Sequence, residues 1–219
     1  MIRKWIKRKN EKSLILFFNG WSLDEKPFLR LNSENFDICM FSEYGADIDW
    51  DMRDVKDYDK VYILAYSLGV AGGYSFPFDL NVEKAVAING TGQPVDDKYG
   101  IPSVVFKGTE KNLSEQNLIK FYKRITSSKQ AYQYMLEFID NANIDRLRRE
   151  LVWFYDFERK RIHSELFDMA IICTKDRIFP AENQRAWWNE KNCKTVELED
   201  AHFPFHRWAS WNEILELEV

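Results

Sequence analysis

The sequence has no surplus of positive charge, few cysteines and no long apolar run. Its 31 lysines and arginines stand against 35 aspartates and glutamates, which gives a net charge of −4. That balance argues against a nucleic-acid partner, because phosphate backbones recruit strongly basic surfaces. The 3 cysteines are widely spaced, which excludes a disulfide framework and the Cys-x-x-Cys pair of a zinc or redox site. We therefore expect a protein of the cytoplasm, where thiols stay reduced.

A membrane segment or a secretion signal is not expected either. Several cations near the N-terminus could open a signal peptide, but the apolar run that follows, from Leu14 to Phe18, stops at Asn19-Gly20. Such a run is too short for a secretory core and far too short to span a bilayer. No association with membranes is predicted.

Motifs for phosphate or metal cofactors are missing as well. Neither G-x-x-x-x-G-K nor G-x-G-x-x-G occurs, so no phosphate-binding loop is predicted. The acidic stretch at 47–59 begins like a calcium loop, but Met52 stands where that loop needs glycine. Pro204 separates His202 from His206 and spoils the helical spacing of a His-x-x-x-His zinc site. We expect neither a metal nor another cofactor.

What the sequence does contain is a series of short apolar runs of strand length, each bounded by turn residues. They are Leu14–Phe18, Phe36–Phe41, Val61–Ala65, Ala85–Ile88, Met169–Cys173 and Thr195–Leu198. Because the runs are continuously apolar rather than alternating, they predict strands that are buried on both faces. We predict an α/β fold in which a mostly parallel sheet of about six strands is covered by helices.

Residues 94–164 have a different, helical pattern, in which apolar side chains recur at steps of three and four. These side chains are Leu118, Ile119, Tyr122, Ile125, Tyr132, Met135, Phe138, Ile139, Ile144, Leu147, Leu151 and Phe154. Ser114 is a suitable N-cap for the first of these helices. A helical segment that interrupts a parallel sheet is typical of a lid. We predict a core formed by residues 1–93 and 165–219, with a helical lid inserted at 94–164.

A serine follows the third apolar run directly, in Ala65-Tyr66-Ser67-Leu68-Gly69. A nucleophile elbow holds its serine in a strained turn between a strand and a helix, and it needs small residues two positions away on each side. Ala65 stands where glycine is more usual, and its methyl group is small enough. The alternative is that Ser67 only caps the helix that follows.

An aspartate and a histidine follow later strands in the same way. Asp176 comes just after the fifth run and His202 just after the sixth, so both should meet Ser67 at the carboxyl edge of the sheet. The order Ser, Asp, His is that of α/β-hydrolases. In such a triad the imidazole of His202 takes the serine proton, and Asp176 orients the ring. Alternatively, Asp176 caps a helix that begins near Pro180 or forms a surface pair with Arg177. Separately, His206 could replace His202 as the base.

Two backbone N–H groups are predicted to form an oxyanion hole, one from Leu68 and one from Trp21. Trp21 lies on the loop after the first run, where Gly20 permits a close approach of the backbone. The indole of Trp21 is expected to wall the substrate pocket. The alternative for this side chain is ordinary core packing.

Five segments together resemble a known family, the BioG-type pimeloyl-[acyl-carrier protein] methyl ester esterases of biotin synthesis, which are α/β-hydrolases. The segments are Asn19-Gly20-Trp21, Ala65-Tyr66-Ser67-Leu68-Gly69, Ile88-Asn89-Gly90-Thr91, Asp176-Arg177-Ile178-Phe179-Pro180 and Ala201-His202-Phe203-Pro204-Phe205. The similarity extends over nearly the whole chain. It implies hydrolysis of the methyl ester of pimeloyl held on acyl-carrier protein, with release of methanol.

The resemblance also implies roles for single residues. Ser67 would be the nucleophile, Asp176 the triad acid and His202 the general base, with Trp21 and Leu68 as oxyanion donors. Asn19 departs from the wider fold, in which many proteins have histidine before Gly-Trp. The role of Asn19 is left open.

Two properties of the lid sequence fit this substrate. Its aromatic side chains, among them Phe121, Tyr122 and Trp153, could wall a slot for an acyl chain. Its cations outnumber its acids by 12 − 8 = 4 between Lys107 and Arg161, which could attract an acidic carrier protein. The cations selected as carrier contacts are Arg124, Arg146, Arg148 and Arg149. Alternatively, the aromatics form the lid's own core, and the cations form its solvated face.

Two other functions remain open at this point. A general carboxylesterase or an acyl thioesterase would use the same triad, and nothing in the triad distinguishes an ester from a thioester. A non-catalytic hydrolase fold that only binds acyl-carrier protein is the alternative from a different class.

Overall fold

The computed structural model describes residues 1–46, 55–76, 80–137, 143–157 and 165–218. The strands are β1 (Ile2–Lys7), β2 (Ser13–Phe18), β3 (Phe36–Ser42), β4 (Lys60–Tyr66), β5 (Val82–Ile88), β6 (Met169–Cys173) and β7 (Lys194–Leu198). They form one 7-stranded sheet in the order β1-β3-β2-β4-β5-β6-β7. Every pair of neighbours is parallel except β1 with β3. The predicted mostly parallel sheet is confirmed.

The strand that the apolar runs did not indicate is β1. Its side chains are exposed or half-buried, with cations between the apolar residues, and it pairs antiparallel with β3 at one edge of the sheet. By contrast, nearly every side chain of β2 is buried. An edge strand keeps part of its surface in solvent, so continuous hydrophobicity is not required of it.

Helices account for much of the remaining described chain. They are α1 (Leu68–Tyr74), α2 (Ser103–Lys111), α3 (Glu115–Ile125), α4 (Lys129–Leu136), α5 (Ile144–Tyr155), α6 (Ala181–Glu190) and α7 (Trp211–Leu215). The helices α2 to α5 follow one another between β5 and β6, where the sequence predicts a helical insertion. The hydroxyl of Ser114 accepts the backbone N–H of Asn117 at 3.3 Å, so the predicted N-cap of α3 is confirmed.

Some sequence predictions fall outside the described residues. Phe138 and Ile139 of the helical pattern are among them, as is the 47–54 part of the acidic stretch. The division of the chain into a core and a lid stays a prediction.

An aromatic cluster beside the sheet fixes the chain just after His202. Phe205 lies in a short 3-10 helix, Phe205–Arg207, and its ring packs edge-on against Phe28 at 4.9 Å and Tyr66 at 5.1 Å. Phe17 of β2 packs against Trp211 of α7 at 5.1 Å. Each such pair adds about 0.5–1.5 kcal/mol beyond its buried area. The cluster therefore ties the segment after β7 to Tyr66, the residue before Ser67.

A buried carboxyl on α5 makes stability depend on pH. Glu150 is 3% exposed, and its Oε1 accepts the backbone N–H of Tyr44 at 3.2 Å. Burial raises the pKa of Glu150 from an ordinary 4.5 to about 7, although the Tyr44 N–H and the charge of Arg146 oppose the rise. The nearby charge of Glu43 reinforces it.

Glu150→Gln should raise the free energy of unfolding at pH 8 by up to about 3 kcal/mol. The folded wild type holds a proton that the unfolded chain releases near pH 4.5, so its stability falls as the pH rises from there through about 7. Glutamine removes that loss and still accepts the Tyr44 N–H. Urea unfolding at pH 5 and pH 8 measures the difference. The exposed Glu115→Gln is the control, and an equal gain from Glu150→Gln at both pH values would contradict the expectation.

Candidate active site

Ser67 occupies a strained turn between β4 and α1. Its backbone has φ 58° and ψ −129°, a left-handed conformation that is uncommon for any residue other than glycine. The Ser67 N–H donates to the carbonyl of Ile88 at the end of β5, at 2.8 Å. The neighbouring strand thus supports the turn. The sharp strand-to-helix turn that the sequence predicts is present.

Small residues around this turn are required by backbone crowding. A Cβ atom on Gly69 would lie 2.2 Å from the carbonyl oxygen of Phe18, and one on Gly90 would lie 2.2 Å from the carbonyl oxygen of Ser67. Both distances are far inside van der Waals contact, and the obstructing atoms are backbone atoms that have little freedom to move. Gly69 therefore lets α1 start directly against the loop after β2.

The three side chains predicted at strand ends form one chain of hydrogen bonds. His202 Nε2 lies 2.8 Å from Ser67 Oγ, and His202 Nδ1 lies 2.7 Å from Asp176 Oδ2. All three residues are buried, with His202 only 1% exposed. The structure therefore brings Ser67, His202 and Asp176 together at the carboxyl ends of β4, β7 and β6.

Four groups of the chain surround the carboxylate of Asp176. Its Oδ1 accepts the backbone N–H groups of Ile178 at 2.7 Å and Phe179 at 3.0 Å. Its Oδ2 is shared between His202 and the side-chain amide of Gln184, the latter at 3.1 Å. Each of these neighbours can donate a hydrogen bond to the carboxylate, and together they fix its orientation.

Asp176 and His206 have different surroundings in the structure. The side chain of Asp176 does not cap α6, whose N-cap is Pro180 without a side-chain hydrogen bond. His206 lies beside a different carboxylate, with its Nε2 3.2 Å from Asp200 Oδ2. Arg207 also approaches Asp200, at 3.4 Å.

The loop after β2 carries the second predicted oxyanion donor. Trp21 and Leu68 both line the cavity into which Ser67 opens. Among the hydrogen bonds of the described residues, none uses the backbone N–H of Trp21 or Leu68. The indole Nε1 of Trp21 donates to the carbonyl of Leu147 at 2.9 Å, which anchors the ring against α5.

Asn19 holds this loop from within, a role that the sequence left open. Its Oδ1 accepts the Gly20 N–H at 2.8 Å, and its Nδ2 donates to the Leu23 carbonyl at 2.7 Å. Its own backbone N–H donates to Phe41 on β3 at 2.9 Å. Asn19 is 0% exposed. An asparagine fits here because its side chain both accepts and donates across the turn that presents Trp21.

Two adjoining cavities lie between Ser67 and the helices α2 and α3. The inner cavity is lined by Trp21, Ser67, Leu68, Ile101, Val105, Phe106, Thr109, Phe121, Arg124, Leu151 and Ile178. The outer cavity shares Trp21, Val105, Thr109, Phe121 and Arg124 with it and adds Gly108, Asn112, Leu113, Asn117, Leu118 and Lys120. The inner walls are thus mainly apolar, and the outer walls carry amides and cations.

Of the predicted substrate-binding residues, the structure places two in this space and two elsewhere. Trp21 and Phe121 line both cavities, with ring centroids 5.1 Å apart. Tyr122 is instead buried, and its hydroxyl donates to the Ser22 carbonyl at 2.9 Å. Trp153 stacks on Tyr44 and lines a separate cavity. These two side chains do not line the Ser67 cavity, because each packs on the apolar face of its own helix against the core.

The four arginines selected as carrier contacts are also divided. Arg124 lines both cavities near Ser67, and its guanidinium donates to the Arg177 carbonyl at 2.9 Å. Arg146 and Arg149 line the separate cavity beside Trp153. The guanidinium of Arg148 donates to the carbonyls of Glu110 and Leu113, at 2.7 and 3.1 Å. These bonds join α5 to the end of α2.

The described residues contain neither a metal-binding cluster nor a membrane-spanning helix. No group of three or more His, Cys, Asp or Glu side chains within them is arranged to hold a metal ion. No helix in the described ranges is both long and apolar enough to cross a membrane.

Residues 1–214 match the model of a family described as pimeloyl-ACP methyl esterase BioG. The chain belongs to the BioG family. The crystal structure of BioG from Haemophilus influenzae has 29% sequence identity, with a TM-score of 0.86 over 97% of this chain and 99% of that one. The fold of this BioG family member is therefore that of an α/β-hydrolase, as predicted.

This BioG protein is also similar to part of a longer protein and to a more distant esterase. A malonyl-[acyl-carrier protein] O-methyltransferase of Bacteroides fragilis is 36% identical over 201 residues, which are 88% of this chain. The chain spans only 40% of that relative's length. An esterase from Exiguobacterium antarcticum has 14% identity and a TM-score of 0.68 over 94% of this chain and 89% of its own. Similarity at that level of identity supports a shared fold and nothing more specific.

The site contains residues that sequence reasoning missed. Ile101, Val105, Phe106 and Thr109 lie on α2 or just before it and form much of the inner cavity wall. The sequence indicates α2 only weakly, because its apolar residues are consecutive and do not form a regular stripe. In the structure Val105 is 43% exposed. The polar residues Asn19 and Gln184 were also missed as supports of the site.

Proposed function

We propose that this BioG family member is a serine esterase that removes the methyl group from an acyl methyl ester carried by acyl-carrier protein, with pimeloyl as the acyl group. The observation that carries the proposal is the continuous hydrogen-bonded chain from Ser67 Oγ through His202 to Asp176 at the base of a mainly apolar cavity. A serine activated in this way attacks carbonyl carbons.

In the proposed reaction, His202 Nε2 takes the proton of Ser67 as its Oγ bonds to the ester carbonyl carbon. The negative charge on the carbonyl oxygen is stabilised by the backbone N–H groups of Leu68 and Trp21. The tetrahedral intermediate collapses when His202 returns the proton to the methoxy oxygen, and methanol leaves. A water molecule, deprotonated by His202, then attacks the acyl carbon. His202 returns this proton to Ser67 Oγ as the acyl–oxygen bond breaks, and the released acid ionises to the carboxylate. Asp176 stabilises the imidazolium in both halves.

The succession of the two cavities supports a long acyl chain that enters from the carrier side. The methyl ester of such a substrate lies at the end remote from the carrier. The apolar inner cavity suits methylene groups, each of which contributes about 0.8 kcal/mol when buried. The outer cavity, with Asn112, Asn117 and Lys120 in its walls, suits the polar arm that joins the acyl chain to its carrier.

The names of the relatives support the same class of substrate. The family description specifies pimeloyl-ACP methyl ester. The Bacteroides relative is named for transferring a methyl group to malonyl on acyl-carrier protein, which would yield an ester of a carrier-bound dicarboxylic acid. The similarity of this chain to a segment of that protein supports an esterase that acts on the same class of ester.

Lys120→Glu should reduce kcat/KM for carrier-bound substrate about tenfold at low salt, with a smaller loss at high salt. Lys120 lies on α3 and lines the outer cavity but not the inner one, so it faces the path of an acidic carrier rather than the ester. Turnover of a small ester such as p-nitrophenyl acetate should change much less.

The matched control is Lys129→Glu, an exposed lysine on α4 that lines neither cavity. Steady-state kinetics at two salt concentrations, with both substrates, make the comparison. Equal losses for the two variants, or for the two substrates, would contradict entry of the carrier at the outer cavity.

The test of the function as a whole is growth without biotin. A bacterial strain that lacks its own pimeloyl-ester hydrolase should grow when it carries the wild-type gene and should not grow with Ser67→Ala. Purified protein incubated with methyl pimeloyl-carrier should then release methanol, while the thioester bond to the carrier stays intact. Cleavage of the thioester would identify a thioesterase, and carrier binding without either product would identify a binding protein.

A further inference from the structure

The end of β5 touches all three strand-end segments that carry the triad. The carbonyl of Ile88 accepts the Ser67 N–H at 2.8 Å. The next residue, Asn89, has a left-handed φ of 48° and is 1% exposed. Its backbone N–H donates to the carbonyl of Ile171 on β6 at 2.9 Å. The turn after β5 is therefore fixed by its neighbours, and the side chain of Asn89 points into the interior.

Both ends of the Asn89 amide bind backbone groups of the triad segments. Nδ2 donates to the carbonyl of His202 itself at 2.7 Å. Oδ1 accepts the N–H of Cys173, the last residue of β6, at 2.7 Å. The carbonyl of Cys173 in turn accepts the Asp176 N–H at 3.1 Å. One side chain thus spans the two segments whose side chains must meet at 2.7 Å.

We infer that Asn89 is a positioning residue that holds the His202 segment at a fixed distance from the segment of Asp176. The inference rests on the proposed esterase function for its kinetic consequence. Asn89 does not contact Ser67 Oγ or the cavity among the contacts described, so it acts only through the two segments that it joins. The side chain at this position must both donate and accept, because its partners are the His202 carbonyl and the Cys173 N–H.

Burial alone does not account for an amide here. An apolar side chain would leave the His202 carbonyl and the Cys173 N–H without these partners inside the protein, which destabilises the folded state. Such a loss would also free the two segments to shift relative to one another. A displacement of about 1 Å in a catalytic group can lower turnover by about a hundredfold.

Asn89→Ala should reduce kcat for p-nitrophenyl acetate by about ten- to a hundredfold and leave KM close to that of the wild type. Binding of the small ester depends on the cavity walls, whereas proton transfer depends on the His202–Asp176 alignment. Asn89→Asp provides a second variant if alanine prevents folding. It tolerates the left-handed backbone and keeps the acceptor for Cys173, but when ionised it cannot donate to the His202 carbonyl.

The matched control is Asp37→Ala at the amino end of β3, on the opposite edge of the sheet. Asp37 is likewise buried, at 0% exposed, and holds two partners, the Lys9 N–H at 2.6 Å and the Tyr58 hydroxyl at 2.7 Å. It should lower stability in thermal unfolding as Asn89→Ala does, yet keep kcat per folded molecule. Unchanged kcat in a folded Asn89 variant, or an equal loss in the control, would overturn the inference.

A proton NMR measurement separates this inference from the proposed function. The proton between His202 Nδ1 and Asp176 should give a downfield resonance in the wild type, which Asp176→Asn removes and thereby identifies. Asn89→Ala and Asn89→Asp should shift or broaden it, and Asp37→Ala should not. The signal needs no turnover, so an inactive wild type would sink the esterase proposal alone. An unperturbed signal in both Asn89 variants would overturn the positioning role alone.

Discussion

Ser67→Ala should lower kcat for any ester substrate by about a million-fold, to the rate that binding and the oxyanion donors sustain without a nucleophile. The change deletes a single oxygen atom, whose described side-chain partner is His202 Nε2 at 2.8 Å. The melting temperature should therefore stay close to that of the wild type. Initial rates with p-nitrophenyl acetate and with methyl pimeloyl-carrier measure the loss.

Ser75→Ala is the matched control, because Ser75 lies at the other end of α1 and donates to the Gly72 carbonyl at 2.7 Å. It should retain full activity. A fluorophosphonate should label the wild type and Ser75→Ala but not Ser67→Ala. Substantial esterase activity in Ser67→Ala would show that another residue is the nucleophile.

Asp176→Asn should lower kcat about ten-thousand-fold, while the fold persists. The backbone N–H groups of Ile178 and Phe179 both point at Oδ1, so the asparagine oxygen will be held there. Its NH2 group then faces His202 Nδ1, which must become the acceptor. In that tautomer Nε2 carries the proton and cannot take another from Ser67.

The control for this substitution is Asp168→Asn at the amino end of β6. Asp168 Oδ2 accepts the Ala85 N–H at 2.7 Å, and an asparagine oxygen can replace it far from Ser67. Its kcat should remain that of the wild type. A loss below about tenfold in Asp176→Asn would mean that the carboxylate neither sets the tautomer nor stabilises the imidazolium.

The meeting of Ser67, His202 and Asp176 could be predicted from the sequence because of where the three residues lie. Ser67, Asp176 and His202 each follow a continuously apolar run, and in a parallel sheet the carboxyl ends of neighbouring strands share one edge. The position of each residue just after a predicted strand therefore indicates which distant residues meet in the fold. Gly69 is also predictable from the local sequence, because a nucleophile elbow needs a small residue two positions after its serine.

The cavity walls were beyond the reach of the sequence. Helical periodicity identifies the apolar face of a helix but not the surface that this face meets. Tyr122 and Trp153 lie on such faces and pack against the core, whereas Val105 on α2 lines the cavity without any apolar stripe to mark it. The bonds of Asn89 are similarly hidden, because its partner His202 is 113 positions away along the chain.

β1 carries cations at the exposed margin of an otherwise very apolar sheet. β3 has nearly all its side chains buried, and without β1 its main-chain N–H and C=O groups would be open to strands of other molecules. A strand that carries Arg3, Lys4 and Lys7 covers these groups, and charged side chains on an edge strand discourage pairing with another chain. We therefore expect β1 to limit aggregation, and its removal to lower the solubility of the protein before it lowers the catalytic rate.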